Sequence, residues 1–367
     1  MEIDASDFDL LTIAQLKQVA DATPQPYRIQ AQADGVIEKQ TQSGKPYFEV
    51  RLTDGTEAIT WRVFDGSTVF DQVRELPRAG AWLELCAHWW DTGKFGLEPK
   101  QPLMRRLSDE ETHQLLQGSE EARLAAAADY GEIVTRLAAL TDPRLRLLCE
   151  LFIERHGERF RRTAAAREIH HARRGGLVEH VAQMMRCAGA ICSVYPRLNQ
   201  DLMIAGVLFH DCGKLWENAY AENSFTMPYS LGGELLGHIP MGLELVNKLW
   251  RDALEKPEAK DWIHLEPASD MVRLHLLHLV ASHHGELAFG SPVLPKTPEA
   301  IALHYIDNID AKLEIFRRGY STSTEIGPGI FDRVRPLMQH LVTPLHTHQP
   351  QVSETSEPDA AFPPPTS

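Results

Sequence analysis

Between residues 176 and 312 one apolar segment follows another, and each carries a histidine or an aspartate. His180 lies in LVEHVAQMM. His210 and Asp211 end the run LMIAGVLFHDCGK. His238 sits in GELLGHI, His283 and His284 close the segment ending SHHG, and Asp307 lies in EAIALHYIDNIDAK. The spacing of the apolar residues predicts helices here. A single histidine on an apolar helix is most simply a satisfied core residue. Five such helices in succession resist that explanation. A helix bundle can aim such side chains at one centre, and an imidazole–carboxylate donor set without thiolate suits a divalent metal ion.

The chain ahead of these segments has a different period. From residue 27 to 103 apolar and polar residues alternate between Asp-Gly and Ser-Gly turns, which predicts short antiparallel strands. About five strands in so short a span suggest a small barrel of the OB type. Barrels of this kind hold single-stranded nucleic acid with aromatic and basic side chains. The candidates are Tyr47, Phe48, Trp61, Trp89 and Trp90 with Arg51, Arg62 and Lys94, and the competing reading puts the aromatics in the barrel core. Residues 1–26 predict a helical lead-in and residues 104–130 a helical connector. Residues 131–342 predict helices throughout, including a last amphipathic stretch, FDRVRPLMQHLV. The tail, 343–367, is rich in Pro, Thr, Ser and Glu and predicts disorder. The expected architecture is therefore two-domain, a small all-β OB-type barrel followed by an all-α helical bundle.

With 367 residues the chain is long enough for about two domains. Its net charge of −14 argues against a broad basic face for duplex nucleic acid, though not against a local basic channel. No stretch approaches the roughly 18 to 20 apolar residues of a membrane span. The acidic N-terminus lacks a signal pattern, so a cytoplasmic location is the default. The five cysteines are scattered and include no Cys-x-x-Cys, which fits reduced thiols.

The order His … His-Asp … Asp, with HDCGK after a hydrophobic helix, resembles the HD superfamily of metal-dependent phosphohydrolases. His238 and His283 resemble the added histidines of its two-metal branch. The strings HHARRGGLVEH, AGVLFHDCGK, GELLGHI, SHHGELAFGSPV and IDNIDAK are similar to the YhaM-type 3′→5′ exoribonucleases, which join an OB-fold to an HD domain. The resemblance covers roughly residues 27 to 340, and Cys212 departs from the aliphatic residue usual at its position.

The resemblance implies that His180, His210, Asp211 and Asp307 hold one metal. It further implies that Asp211 bridges to a second ion held by His238 and His283, with His284 a further candidate. Manganese fits the donor set, with iron, cobalt and magnesium as alternatives. Two such ions polarise a phosphodiester and activate water without a protein nucleophile. Lys214, one turn from His210, is a candidate for contact with a phosphate oxygen. His170, His171, Arg173 and Arg174 are candidates for an RNA backbone site, or else an exposed basic loop. Asp310 shares a helix face with Asp307 and is expected either to orient a ligand or the metal water, or simply to pair with Lys312 or in the neighbourhood of Arg317.

The implied substrate is single-stranded RNA, with single-stranded DNA as a second candidate. Two alternatives remain open at this point: an HD-type hydrolase of small nucleotides or cyclic dinucleotides, and an inactive OB-based binding module. A homo-oligomer is also open.

Overall fold

A computed structural model describes residues 7–94, 96–167 and 171–345. The alternating segment forms one sheet with the strands β1 (Asp9–Leu10), β2 (Gln25–Gln40), β3 (Pro46–Thr53), β4 (Ala58–Phe64), β5 (Ala81–Asp91) and β6 (Leu97–Arg106). Their order is β4-β3-β2-β5-β6, antiparallel throughout, and β1 pairs in parallel with β2. The period of two puts Ile29, Ala31, Val50, Leu52, Trp61, Val63, Leu83, Leu85 and Trp89 in one core. Helix α1 (Ile13–Val19) adds Ile13 and Leu16 to it, and Thr12 closes a capping box with Gln15. A short helix, α2 (Phe70–Arg74), follows β4. Arg62 of β4 pairs with Glu98 of β6 at 3.2 Å, so the two outer strands of the order approach each other.

The lead-in and the connector differ from expectation at their edges. Among the described residues of the lead-in the α-helix is Ile13–Val19, and the first long strand begins at Gln25. The connector begins as the end of β6, continues as α3 (Asp109–Gln117) and runs into α4 (Glu120–Ala138), one uninterrupted helix across residue 130. Ser108 and Ser119 cap these two helices.

The helical part continues with α5 (Pro143–Arg162), α6 (Gly176–Val194), α7 (Gln200–Phe209), α8 (Lys214–Glu217), α9 (Leu231–Leu236), α10 (His238–Leu254), α11 (Ser269–Ser282) and α12 (Pro298–Thr322). Asp142 caps α5 with Pro143 in its first turn, the arrangement that Thr-Asp-Pro predicts. Helix α7 is buried on every side from Leu202 to Phe209 and is packed by α4, α5, α6 and α11. A helix apolar all round belongs at the centre of a core. The sheet and the helices have separate cores within one compact unit that runs to Glu314.

A second unit begins at Ile315 with the end of α12. It holds β7 (Glu325–Gly327), β8 (Ile330–Val334) and β9 (Gln339–Val342) as an antiparallel sheet. This corrects the all-α expectation for the C-terminal part. The stretch FDRVRPLMQHLV is two strands in which Phe331 pairs with Leu341, and Pro336, which a helix interior does not tolerate, lies in their connection. Residues 346–367, most of the tail expected to be disordered, lie outside the described residues. All five cysteines are free thiols. Among the described residues no helix is long and apolar enough to cross a membrane.

Candidate metal centre

Helix α7 brings the first polar groups of its segment to the middle of the core. His210 caps its C-terminal end and Asp211 follows in the turn. His210 Nδ1 donates to the Val207 carbonyl at 2.8 Å, which turns Nε2 the other way. His283, just past α11, repeats the device: its Nδ1 donates to the Val280 carbonyl at 2.8 Å. Gly213 lets the turn after α7 abut α10. A Cβ there would lie 1.9 Å from the His238 carbonyl oxygen.

Asp211 stands between two groups of imidazoles. Its Oδ2 lies 3.3 Å from His210 Nε2 and 3.9 Å from His180 Nε2. Its Oδ1 lies 3.5 Å from His238 Nε2 and 3.6 Å from His283 Nε2. Asp307 of α12 completes the first group, with Oδ1 3.4 Å from His180 Nε2. His284 joins the second, its ring centroid 5.1 Å from that of His238. The sets His180–His210–Asp211 and His238–His283–His284 each bring ligand-type atoms within 4.8 Å of one another.

The donor set fits a metal ion. Asp211 Oδ1, His238 Nε2 and His283 Nε2 are buried and lack a hydrogen-bond partner. Leaving such groups unsatisfied is costly, and one cation between them would satisfy all three. Electrostatics agree. Burial raises the carboxyl of Asp211, but Lys214 and His210 together hold it well below the usual range. Asp307 is likewise held down against burial, by His180 and His210. Burial keeps His283 low and pushes His284 down to about 4, so both imidazoles are neutral at neutral pH. His180 differs: burial opposes its charge, yet Asp307 and Asp310 raise it to about 9. An ion binding at His180 displaces that proton.

The HD domain family matches residues 177–312, the span that carries these ligand-type residues. Two relatives are named 3′-5′ exoribonuclease YhaM. The one from Bacillus subtilis (strain 168) is 30% identical over 303 residues, 83% of this chain and 89% of that protein. The one from Geobacillus sp. (strain WCH70) is 30% identical over 289 residues, 79% of this chain and 82% of that protein. The chain belongs to the YhaM family. It is a hydrolase, and its HD domain implies the use of divalent metal.

Around this YhaM-family centre lies a layer of groups that orient the imidazoles. Asp310 Oδ2 accepts from His180 Nδ1 at 2.6 Å and from His171 Nε2 at 3.0 Å. Asp310 is thus bonded to two imidazoles at once. Two further residues escaped the sequence reading. Glu217 Oε2 accepts from His238 Nδ1 at 3.1 Å. His304 Nδ1 donates to the His283 carbonyl at 2.9 Å. The available signal for His304 was its place one helical turn before Asp307. Glu217, one turn after Lys214, had no comparable mark.

Most residues expected to contact nucleic acid are engaged within the chain. His171 is buried against Asp310 rather than exposed, with a left-handed backbone at φ 44°. Arg173 pairs with Glu179, and with Glu314 at 3.5 Å. Arg174 donates to the carbonyls of Ala221, Glu222 and Ser224, so it braces a loop instead of facing solvent as a phosphate site. Trp61 is core, 2% exposed, because the pleat turns it inward. Arg62 is engaged by Glu49 and Glu98. Lys214 is nearly buried with Nζ 2.6 Å from Asp211 Oδ2. His170 lies outside the described residues. Phe48 and Trp89 are core as well, whereas Tyr47 stacks on the exposed Phe64 with centroids 5.3 Å apart. Cys212 is a buried filler, its thiol pushed up by burial.

Proposed function

We propose that the protein is a metal-dependent 3′→5′ exoribonuclease of single-stranded RNA, with single-stranded DNA as a second substrate, working through two divalent ions. The observation that carries the reading is the division of labour at Asp211, one oxygen toward His180 and His210 and the other toward His238 and His283. The names of the two relatives support RNA and the direction of cleavage. In this reading His180, His210, Asp211 and Asp307 hold one ion, and Asp211, His238 and His283 hold the other, with His284 as a further ligand. The donor set suits manganese, with iron, cobalt or magnesium able to replace it. When bound, such ions supply Lewis-acid polarisation of a phosphodiester and activation of water.

The chain's own groups do the rest. Asp310 holds His180 by Nδ1 and so points its Nε2 at the centre; Glu217 does the same for His238. Lys214 offsets the charge of Asp211 and stands where a phosphate oxygen would arrive. The buried walls of α6, α7 and α11 keep bulk water out. The N-terminal sheet, taken as an OB-type barrel, would hold the strand upstream. The stacked Tyr47–Phe64 pair and the half-buried Trp90 are its available aromatic faces.

Purified protein with Mn²⁺ should shorten a 5′-labelled single-stranded RNA stepwise from its 3′ end, and His210→Ala should abolish this. Hydrolysis of a cyclic dinucleotide with RNA left intact would instead make it a small-nucleotide phosphodiesterase.

A further inference from the structure

The centre opens on one side. The side chains of His180, His210, His283 and Asp211 are 0 to 3% exposed, whereas Asp307 reaches 18% and His238 14%. His284 is also partly exposed and lies against His238. A strand end entering on this side would pass His238, His284 and Asp307. Exposed apolar residues form a lip next in sequence to each member of the His238–His284 ring pair. Leu235 and Leu236, separated from His238 by Gly237, are 72% and 61% exposed. After His284 comes the 3-10 turn Leu287–Phe289, with Phe289 59% exposed.

Exposed apolar residues are ordinary on protein surfaces. Phe289 is distinguished by its tether. His284 Nδ1 donates to the Phe289 carbonyl at 2.8 Å, so a fully formed hydrogen bond fixes this residue to a candidate ligand. Gly290, left-handed at φ 85°, ends the turn immediately after it. An exposed aromatic residue is thus tied through its backbone to a candidate ligand of the centre.

We propose that Phe289 is a stacking platform for a nucleobase at the 3′ end of the substrate strand. The inference rests on the exoribonuclease reading and deepens it. A base hangs one sugar away from its phosphate, so a phosphate at the ions places a neighbouring base at the rim. Stacking accepts every base, since each has a π-face. The platform would therefore grip the strand end without reading sequence, as an enzyme that removes successive nucleotides requires. The aromatic grip is at the hydrolytic centre itself, in addition to any on the sheet.

The test compares Phe289→Ala and Phe289→Trp with wild type in the full-length chain. For Phe289→Ala, the ratio of activity on 5′-labelled single-stranded RNA to activity on bis(p-nitrophenyl) phosphate should fall about tenfold. Its affinity for a fluorescein-labelled oligoribonucleotide in EDTA, read by anisotropy, should fall by a similar factor. Phe289→Trp should keep both. An unchanged ratio and affinity in Phe289→Ala overturns the proposal. Equal loss on both substrates also overturns it and makes the residue a brace for His284. A shift in gel-filtration elution with RNA turnover intact assigns the lip to a protein contact. Wild type that hydrolyses the diester but spares RNA sinks the underlying exoribonuclease reading, a result distinct from an active wild type with an indifferent Phe289→Ala.

Discussion

At the scale of residues, each of four imidazoles is held by a hydrogen bond at Nδ1. Asp310→Asn removes the charge that holds His180 while keeping its shape, and Glu217→Gln does the same for His238. Losses of this kind cost about 10- to 100-fold in metal affinity or activity. Each substitution is therefore expected to raise the Mn²⁺ concentration needed for half-maximal activity by that order, as a metal titration would read. The raised pKa of His180 has a consequence for the protein without metal. A group whose pKa rises on folding, here from 6.5 to about 9, contributes stability that is complete below about pH 6.5. That contribution is lost as pH rises through 9. The urea midpoint of EDTA-treated protein should fall across this range, and saturating Mn²⁺ should flatten the fall. The ligand-type residues were legible because His and Asp are conspicuous in apolar helices. Glu217 was not, because a glutamate beside a tryptophan in KLWEN looks like any surface acid until His238 is brought to it from another helix. His171 misled for the opposite reason: its neighbours Arg173 and Arg174 advertise a solvated loop, and only the fold buries it.

At the scale of elements, α7 decides where the chemistry sits. Its all-round apolarity sends it through the core, so the first polar pair after it emerges in the interior. That much could be read from the run LMIAGVLFHDCGK. The closeness of α10 to the turn could not, since it depends on Gly213 having no side chain. Gly213→Ala would drive a Cβ into the His238 carbonyl and the backbone nitrogen of Gly242. Overpacking costs about 1–3 kcal/mol. The variant should unfold at lower urea and lose activity beyond what its folded fraction explains, because the shift falls on His238. The strands at 330–342 are not legible in the sequence because an amphipathic stretch this short satisfies both periods weakly.

At the scale of the whole molecule, a loop of the helical part is seated on the sheet. Gln32, 1% exposed, accepts from the Phe225 backbone N–H at 2.8 Å and bonds Ser224. The Phe225 ring packs edge-on to Trp82, with centroids 5.4 Å apart, and against Gly55. This loop follows α8, which carries Lys214 and Glu217, so the seam is a short walk along the chain from the centre. Phe225→Ala should reduce turnover of long RNA more than hydrolysis of bis(p-nitrophenyl) phosphate; equal loss on both would count against a strand-holding role for the sheet. Alternation between glycine turns made the sheet legible, whereas the seam joins residues nearly two hundred positions apart and leaves no local signature. Sharing of Asp211 by two ions would show when metal-free protein is titrated with Mn²⁺ and bound ions are counted by electron paramagnetic resonance, for wild type and Asp211→Asn. Two ions per wild-type chain with a spin-coupled signal, and loss of both the coupling and at least one ion in Asp211→Asn, is the predicted result. A single uncoupled ion in wild type, or unchanged binding in Asp211→Asn, would contradict it.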